Sequence, residues 1–462
     1  MSTLKSFFVH AVAARVALGQ FCEHQWKGQF ANHEVDGVPY LQVRQDVAAP
    51  PLEIKPLIVN GPSSNRIDLI FFGDGYTEGE KDKFFDDALF LAKNITDGQT
   101  FVDVLPIMNY WAGFSPSVDA TQSPSPLDLT KARSVITASR GNGPAILRHE
   151  LGHSIIGVGE EYDGGEVYEG VNAANTTSSV PWTQWYTDPS AEPKIERSNM
   201  PIQAYPWTLL NTSQSWSQKF TSAGIYDTHL LQFSVSGMNA SSDMRVEVDG
   251  KDVGWEVNPL YGIDRYIYNM KRDEALTPGE HEVSFTLLNK EIEGSAQLCN
   301  LEVLEYGDEF NFEPLYHGLY PTFSDKNVTT YRPTNDACLM RSIYSVDFCY
   351  ACVEGLWLHL LSPLTLIDNV TQSAQPDGST NVTLDLLPLA EFRKIPNPHK
   401  EAYSILWYGA DNQTVLDEWT NSTSALIKPN ITEFGVEVRF WTEQVRVDSD
   451  DVLVQKERYT VK

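Results

Sequence analysis

Basic residues are scarce in this chain: 34 Lys and Arg stand against 62 Asp and Glu, a formal net charge of −28 over 462 residues. That balance excludes a nucleic-acid partner, whose phosphates demand the opposite sign. The acidity itself reads as solubility. Long apolar runs are also missing. Beyond the N-terminus no stretch reaches the ~18 apolar residues of a spanning helix, and "GLWLHLLSPLTLI" is short and broken by proline, so no transmembrane segment is expected. Cysteine is rare, at five. Cys22 and Cys299 stand apart, while Cys338, Cys349 and Cys352 cluster. A zinc ribbon, which needs two close pairs, is excluded. The Cys349-x-x-Cys352 spacing lacks the strand–helix context of a thioredoxin-like redox motif. In an oxidising compartment one or two disulfides with an odd thiol are expected instead.

Hydrophobic residues at 42% and aromatics at 11% are enough for a packed interior, and the length predicts two to four domains. The opening "MSTLKSFFVHAVAARVALGQF" has a lysine before a mostly apolar run and small residues at Ala17 and Gly19, so residues 1–19 read as a signal peptide. Ten Asn-x-Ser/Thr sequons occur, at Asn94, Asn175, Asn211, Asn239, Asn327, Asn369, Asn381, Asn412, Asn421 and Asn430. Chance supplies about three or four in such a composition. The excess points to N-linked glycans and a secreted, extracellular protein.

Along the chain, residues 20–56 form a mixed, β-rich segment. Ile67–Phe72 then reads as a buried strand, Gly73-Asp74-Gly75 as a turn, and Thr77 with Glu80 as a capping box. The helix that follows carries Phe84, Phe85, Ala88, Leu89 and Ala92 on one face. This order is an α/β unit. Residues 214–307 alternate apolar and polar positions between Asp-Gly and Pro-Gly turns and predict an inserted β-sandwich. A helix is expected over 353–361. Residues 368–462 predict a second, C-terminal sandwich.

The chemistry lies in "RHELGHSIIGVGEEYDGG", Arg148 to Gly165. On a helix that Pro144 opens, His149 and His153 are four residues apart and share a face, close enough to bind one ion. Glu150 stands beside them, placed to act on a water activated by the metal. Two histidines leave a zinc site one protein ligand short. Gly157 and Gly159 break the helix, and three residues after Gly157 the chain offers Glu160, whose carboxylate is a good zinc ligand.

These residues resemble the IgA-peptidase-like zinc metallopeptidases (family M64), whose members carry a His-Glu-Phe-Gly-His-Ser-like helix followed by Gly-Leu-Ala-Asp-Glu-Tyr. The corresponding runs here are His149–Ser154 and Gly157–Tyr162. The resemblance extends to "IDLIFFGDGYTEGE" (67–80), "NYWAGFSPS" (109–117) and "YRPTNDACLMRS" (331–342). It implies an α+β multidomain protein, with a zincin-type α/β metallopeptidase domain in two parts (57–213 and 308–367) around the sandwich. It implies Zn2+ held by His149, His153 and Glu160, Glu150 as catalytic base, Met340 as a supporting methionine turn, and a protein or peptide substrate. Glu160 replaces the Asp of many relatives, so Glu161 stays open as a rival ligand. A distant glutamate on a later helix is a third option. Tyr162 and Tyr344 are alternatives for stabilising an oxyanion, Asp74 reads as a turn-forming residue, and Asp163-Gly164-Gly165 could contribute to a calcium loop but lacks the ligand spacing of an EF-hand. A different class of function is also open: a non-catalytic surface or matrix-binding glycoprotein that retains the metal site.

Overall fold

The computed structural model describes residues 6–12, 52–97, 99–117, 134–137, 143–164, 170–189, 194–261, 263–324, 328–342, 345, 347–411 and 414–462. Its first sheet contains β1 (Ser6–Val12), β2 (Glu53–Ile58), β3 (Ile67–Asp74), β4 (Met108–Phe114) and β5 (Ser134–Thr137), in the order β2-β4-β3-β1-β5. β4, β3, β1 and β5 run parallel, and β2 closes one edge antiparallel to β4. Pro56 sits on that edge beside a register shift, where a missing N–H is tolerated. β1 lies within residues 1–19. A leader removed at residue 19 would therefore take a strand out of the sheet.

The Thr77–Glu80 capping box is formed: the Glu80 carboxylate accepts from the Thr77 backbone and hydroxyl at 3.1 and 3.0 Å. It leads into α1 (Lys81–Ile95), which buries Phe84, Phe85, Ala88, Leu91 and Ala92. Leu89, expected on that face, is only half-buried, and Leu91 and Ile95 complete the stripe instead. Phe84 packs on Tyr76 and Phe114 at 5.3 and 5.6 Å between ring centres, which seats the helix on the sheet. A short α2 (Gln99–Val104) returns the chain to β4. After β5, α3 (Gly143–Leu151) packs beside β5 and α1.

The inserted sandwich has two antiparallel sheets. One orders Lys251–Asp252, Met244–Val248, Gly279–Leu287 and Trp216–Ser222. The other orders Tyr266–Arg272, Thr228–Ser236, Gln297–Tyr306 and Ser198–Ala204. The strand Ser198–Ala204 pairs with Gln297–Tyr306, so this sheet begins upstream of residue 214. The sandwich has its own core around Phe233, Val246, Trp255, Phe285 and Leu301.

Past it, the hairpin Tyr320–Phe323/Thr329–Arg332 precedes α4 (Tyr350–Leu361), which starts three residues earlier than expected because Cys349 is its N-cap. Two three-stranded antiparallel sheets follow between Ile367 and Thr460. Their interior is continuous with the core under α1, α3 and α4. Trp357 of α4 meets Phe440 at 5.5 Å and donates its indole N–H to Gln444 at 2.8 Å. The Arg66 guanidinium bonds both oxygens of Asp368 at 2.7 Å. The described residues are thus mostly β-sheet with few helices. None of those helices is long and apolar enough to cross a membrane.

Candidate metal centre

α3 runs through His149 and Glu150 to Leu151, and the turn Gly152–Ile156 then widens to π geometry, closed by the Gly157 N–H on the Gly152 carbonyl at 3.2 Å. Such wide turns often occur at functional sites because they re-aim a side chain. Gly157 stops the helix with φ +70°, a left-handed conformation that favours glycine. The chain then folds back so that Glu160 faces both histidines.

Each histidine is held from behind. The Nδ1 of His149 lies 3.0 Å from the Leu339 carbonyl, and that of His153 lies 2.9 Å from the Val158 carbonyl. A carbonyl only accepts, so both rings carry their proton on Nδ1 and turn an Nε2 lone pair inward. The two Nε2 atoms are 3.3 Å apart. The Glu160 oxygens lie 3.2 Å from the His149 Nε2 and 3.1 Å from the His153 Nε2. Ligand atoms about 2.0–2.1 Å from a tetrahedral ion are about 3.3 Å apart, so this triangle matches one face of a zinc tetrahedron.

Three acceptor atoms this close, in side chains 8% exposed or less, repel one another unless positive charge sits among them. Among the described residues Glu160 Oε2 meets no donor other than the His149 ring, 3.2 Å away. The same demand for positive charge appears in the titration of His149. Burial opposes its protonation, yet the adjacent Glu160 charge outweighs burial and raises it to about 9. Glu160 is itself held far below the usual carboxylate range by the two histidines, against the opposing effect of burial. The residues present therefore fit a divalent cation.

Glu161 turns the other way, away from the histidines. Asn172 holds this bend: it accepts from the Gly159 N–H at 2.9 Å and donates to the Gly159 carbonyl at 3.0 Å and to Glu161 Oε1 at 2.8 Å. The Tyr162 hydroxyl donates to Glu160 Oε1 at 3.0 Å and so orients that carboxylate. Tyr344 lies outside the described residues, as does Cys22. Asp163 is engaged within the protein. Its carboxylate accepts from the Phe323 N–H at 2.8 Å and pairs with Arg341 at 2.8 Å. Glu150 is buried beside His149, and its charge acts on that ring.

Met340 lies under the motif. A Cβ on Gly152 would come within 2.8 Å of the Met340 sulfur and 3.1 Å of the Phe348 ring, so the glycine between the histidines is the seat for that methionine. Asn172, Arg341 and the Leu339 carbonyl escape a reading of the motif, because each reaches the site from a loop that no periodicity marks.

Of the one or two disulfides expected in the chain, none is formed among the described residues: Cys299, Cys338, Cys349 and Cys352 are all free thiols. The Cys352 sulfur stands 3.9 Å from that of Cys338 and 3.7 Å from that of Cys349, far beyond the ~2.05 Å of a bond.

Comparison with known proteins adds three results. No curated protein matches the chain. Among solved structures, a family 35 carbohydrate-binding module from Clostridium thermocellum aligns at 16% identity over 24% of this chain and 98% of that one, with TM-score 0.15. The C-terminal domain of EclA, a sugar-binding protein, aligns at 9% over 26% and 91%, with TM-score 0.16. A GH2 beta-galacturonidase from Eisenbergiella tayi aligns at 13% over 59% and 44%, with TM-score 0.13. At such scores these likenesses carry no argument. The family model described as IgA Peptidase M64 matches residues 56–140, from β2 through β5, and stops short of the histidines. Over those residues the chain is similar to the IgA Peptidase M64 family.

Proposed function

We propose that this chain is a secreted zinc endopeptidase whose metal is held by His149, His153 and Glu160. The observation that carries the reading is the triangle of inward-facing ligand atoms at 3.1–3.3 Å, two of them fixed by backbone carbonyls. Zinc bound there supplies Lewis acidity that lowers the pKa of a water towards neutrality. Glu150, buried beside His149, is the group that would take a proton from the attacking water and return it to the leaving amine. Leu339 and Val158 keep the histidine rings in the one tautomer that can ligate. Tyr162 keeps the Glu160 carboxylate turned to both rings.

The catalytic domain in this reading is of zincin type and comes from both sides of the inserted sandwich, since the motif precedes it and Leu339, Met340 and α4 follow it. Secretion is supported by the sequons: all eight whose asparagines are described, including Asn175, Asn239 and Asn430, are exposed or half-buried.

Glu150→Gln keeps the shape of the side chain but removes the base. The variant is expected to bind metal like the parent and to lose casein or gelatin hydrolysis by at least ~10²-fold. Parental activity in that variant, or hydrolysis by the parent that phenanthroline does not block, would overturn the reading. No cleavage by the parent at any pH would favour the non-catalytic binding glycoprotein.

A further inference from the structure

Behind the histidine centre lies a second cluster that the peptidase chemistry does not use. Glu161, Cys338, Cys349 and Cys352 are all buried, with one ligand atom from each inside a sphere of mutual distances no larger than 4.8 Å. The Cys352 sulfur is 3.9 Å from that of Cys338 and 3.7 Å from that of Cys349. Sulfurs bound to a tetrahedral zinc at about 2.3 Å lie about 3.8 Å apart, whereas a disulfide brings them to about 2.05 Å. The observed spacing is that of ligands sharing an ion.

Two of the sulfurs sit at the start of α4. Cys349 caps the N-terminus of α4 and Cys352 lies in its first turn, at the positive end of a 12-residue helix. The Cys349 N–H points to the Cys338 sulfur at 3.4 Å. Glu161 Oε1 is 4.0 Å from the Cys352 sulfur, and Oε2 is buried with no hydrogen-bond partner among the described residues. A carboxylate oxygen stranded among three thiols is costly unless a cation meets it. The buried Arg332 guanidinium acts on the Glu161 charge and offsets part of the excess negative charge of three thiolates and a carboxylate around a divalent ion.

We propose that Cys338, Cys349, Cys352 and Glu161 hold a second, structural ion: a thiophilic divalent metal, of which zinc fits the spacing. Four protein ligands close the coordination shell, which leaves no open position for substrate and suits a structural role. Redox exchange of Cys349 and Cys352 is a poor alternative, because both sulfurs are fully buried.

The two centres are back to back. Glu160 and Glu161 are chain neighbours facing opposite ways. The run Cys338-Leu339-Met340 supplies a sulfur to one site, the carbonyl that fixes His149 to the other, and the methionine under Gly152. The Glu161 N–H ties the two segments together on the Met340 carbonyl at 3.1 Å. An ion in the sulfur site therefore fixes the floor on which the histidine site rests.

The proposal stands apart from the peptidase reading, and metal stoichiometry separates the two. Elemental analysis of the purified full-length chain is expected to give two ions per chain, and one in the His149→Ala/His153→Ala variant. With cobalt(II) in place of the native metal, the parent and the histidine variant should both show the intense near-ultraviolet band of thiolate-to-cobalt charge transfer. Cys338→Ser/Cys352→Ser should lose it, and Glu161→Gln should keep it at weaker metal affinity. One ion in the parent that vanishes with the histidines, or disulfide-linked peptides joining these cysteines in the non-reduced protein, would overturn the proposal. One ion that survives the histidine variant with its thiolate band would support the sulfur site and sink the peptidase metal. The cobalt spectrum of the parent decides even if a cysteine variant fails to fold.

Discussion

At the scale of single residues, Gly152 shows how tightly the motif is built. Alanine there is a good helix former, yet its methyl group would collide with the Met340 sulfur and the Phe348 ring. Gly152→Ala is expected to destabilise the fold by about 1–3 kcal/mol through overpacking. Adding Met340→Ala should recover part of that loss in a thermal melt, whereas a loss due to backbone effects alone would not recover. Glu302 gives a second test. Burial and then the nearby Asp163 charge push its carboxyl up to about 7, although Gln203 donates to it at 3.1 Å. The folded chain thus keeps a proton that the unfolded chain has already lost, and this residue's contribution to stability falls as pH rises from about 4.5 to about 7. Glu302→Gln should match the parent's melting temperature near about pH 5 and exceed it near about pH 8. An unchanged difference across that range would show that Glu302 stays ionised. His149, Glu150 and His153 are legible in the sequence because helical periodicity alone puts them together. Glu160 is legible because a glycine break leaves few positions within reach. The opposite turn of Glu161 is not legible, since it depends on Asn172 and on sulfurs nearly two hundred positions away. The cysteines mislead for the same reason: a count and a compartment suggest bonds, while only distances show that none is made.

At the scale of elements, the loop after the π turn is held as firmly as the helix before it. Asp163 and Arg341 form a buried pair that joins this loop to the Cys338–Arg341 segment, and Arg341 also donates to the Glu161 carbonyl at 3.0 Å. Asp163→Asn leaves Arg341 with Asp336, at 3.1 Å, as its remaining carboxylate partner, so the loss should be about 1.5–3 kcal/mol. Asp163→Asn/Arg341→Met should recover much of it in a denaturant titration. A double variant no better than the single would mean that the pair acts through its neighbours. The sequence shows the α1 cap and the strand β3 well, because both signals are local. It hides the strand Ser198–Ala204, which lies at a sheet edge, contains Pro201 and is half-buried along almost its whole length, so no alternation marks it.

At the scale of the whole molecule, the two sandwiches differ in kind. The inserted one encloses its own core, while the C-terminal one shares a core with the sheet and helices that carry the histidines. Residues 194–309 expressed alone should therefore melt cooperatively. A chain ending at residue 367 should be insoluble or bind hydrophobic dyes, since Trp357 loses its cover. A soluble truncated chain with parental metal content would contradict the shared core. This sharing also sets the order of events in synthesis. Trp357 is covered by Phe440 and Gln444, and the backbone N–H of Ile367 donates to Gln455 at 3.0 Å on the strand Val454–Thr460. While these residues are still unmade, α4 has no roof and the floor beneath His149 has no anchor. In synthesis the histidine centre therefore gains its full support only after the strand Val454–Thr460 has been made.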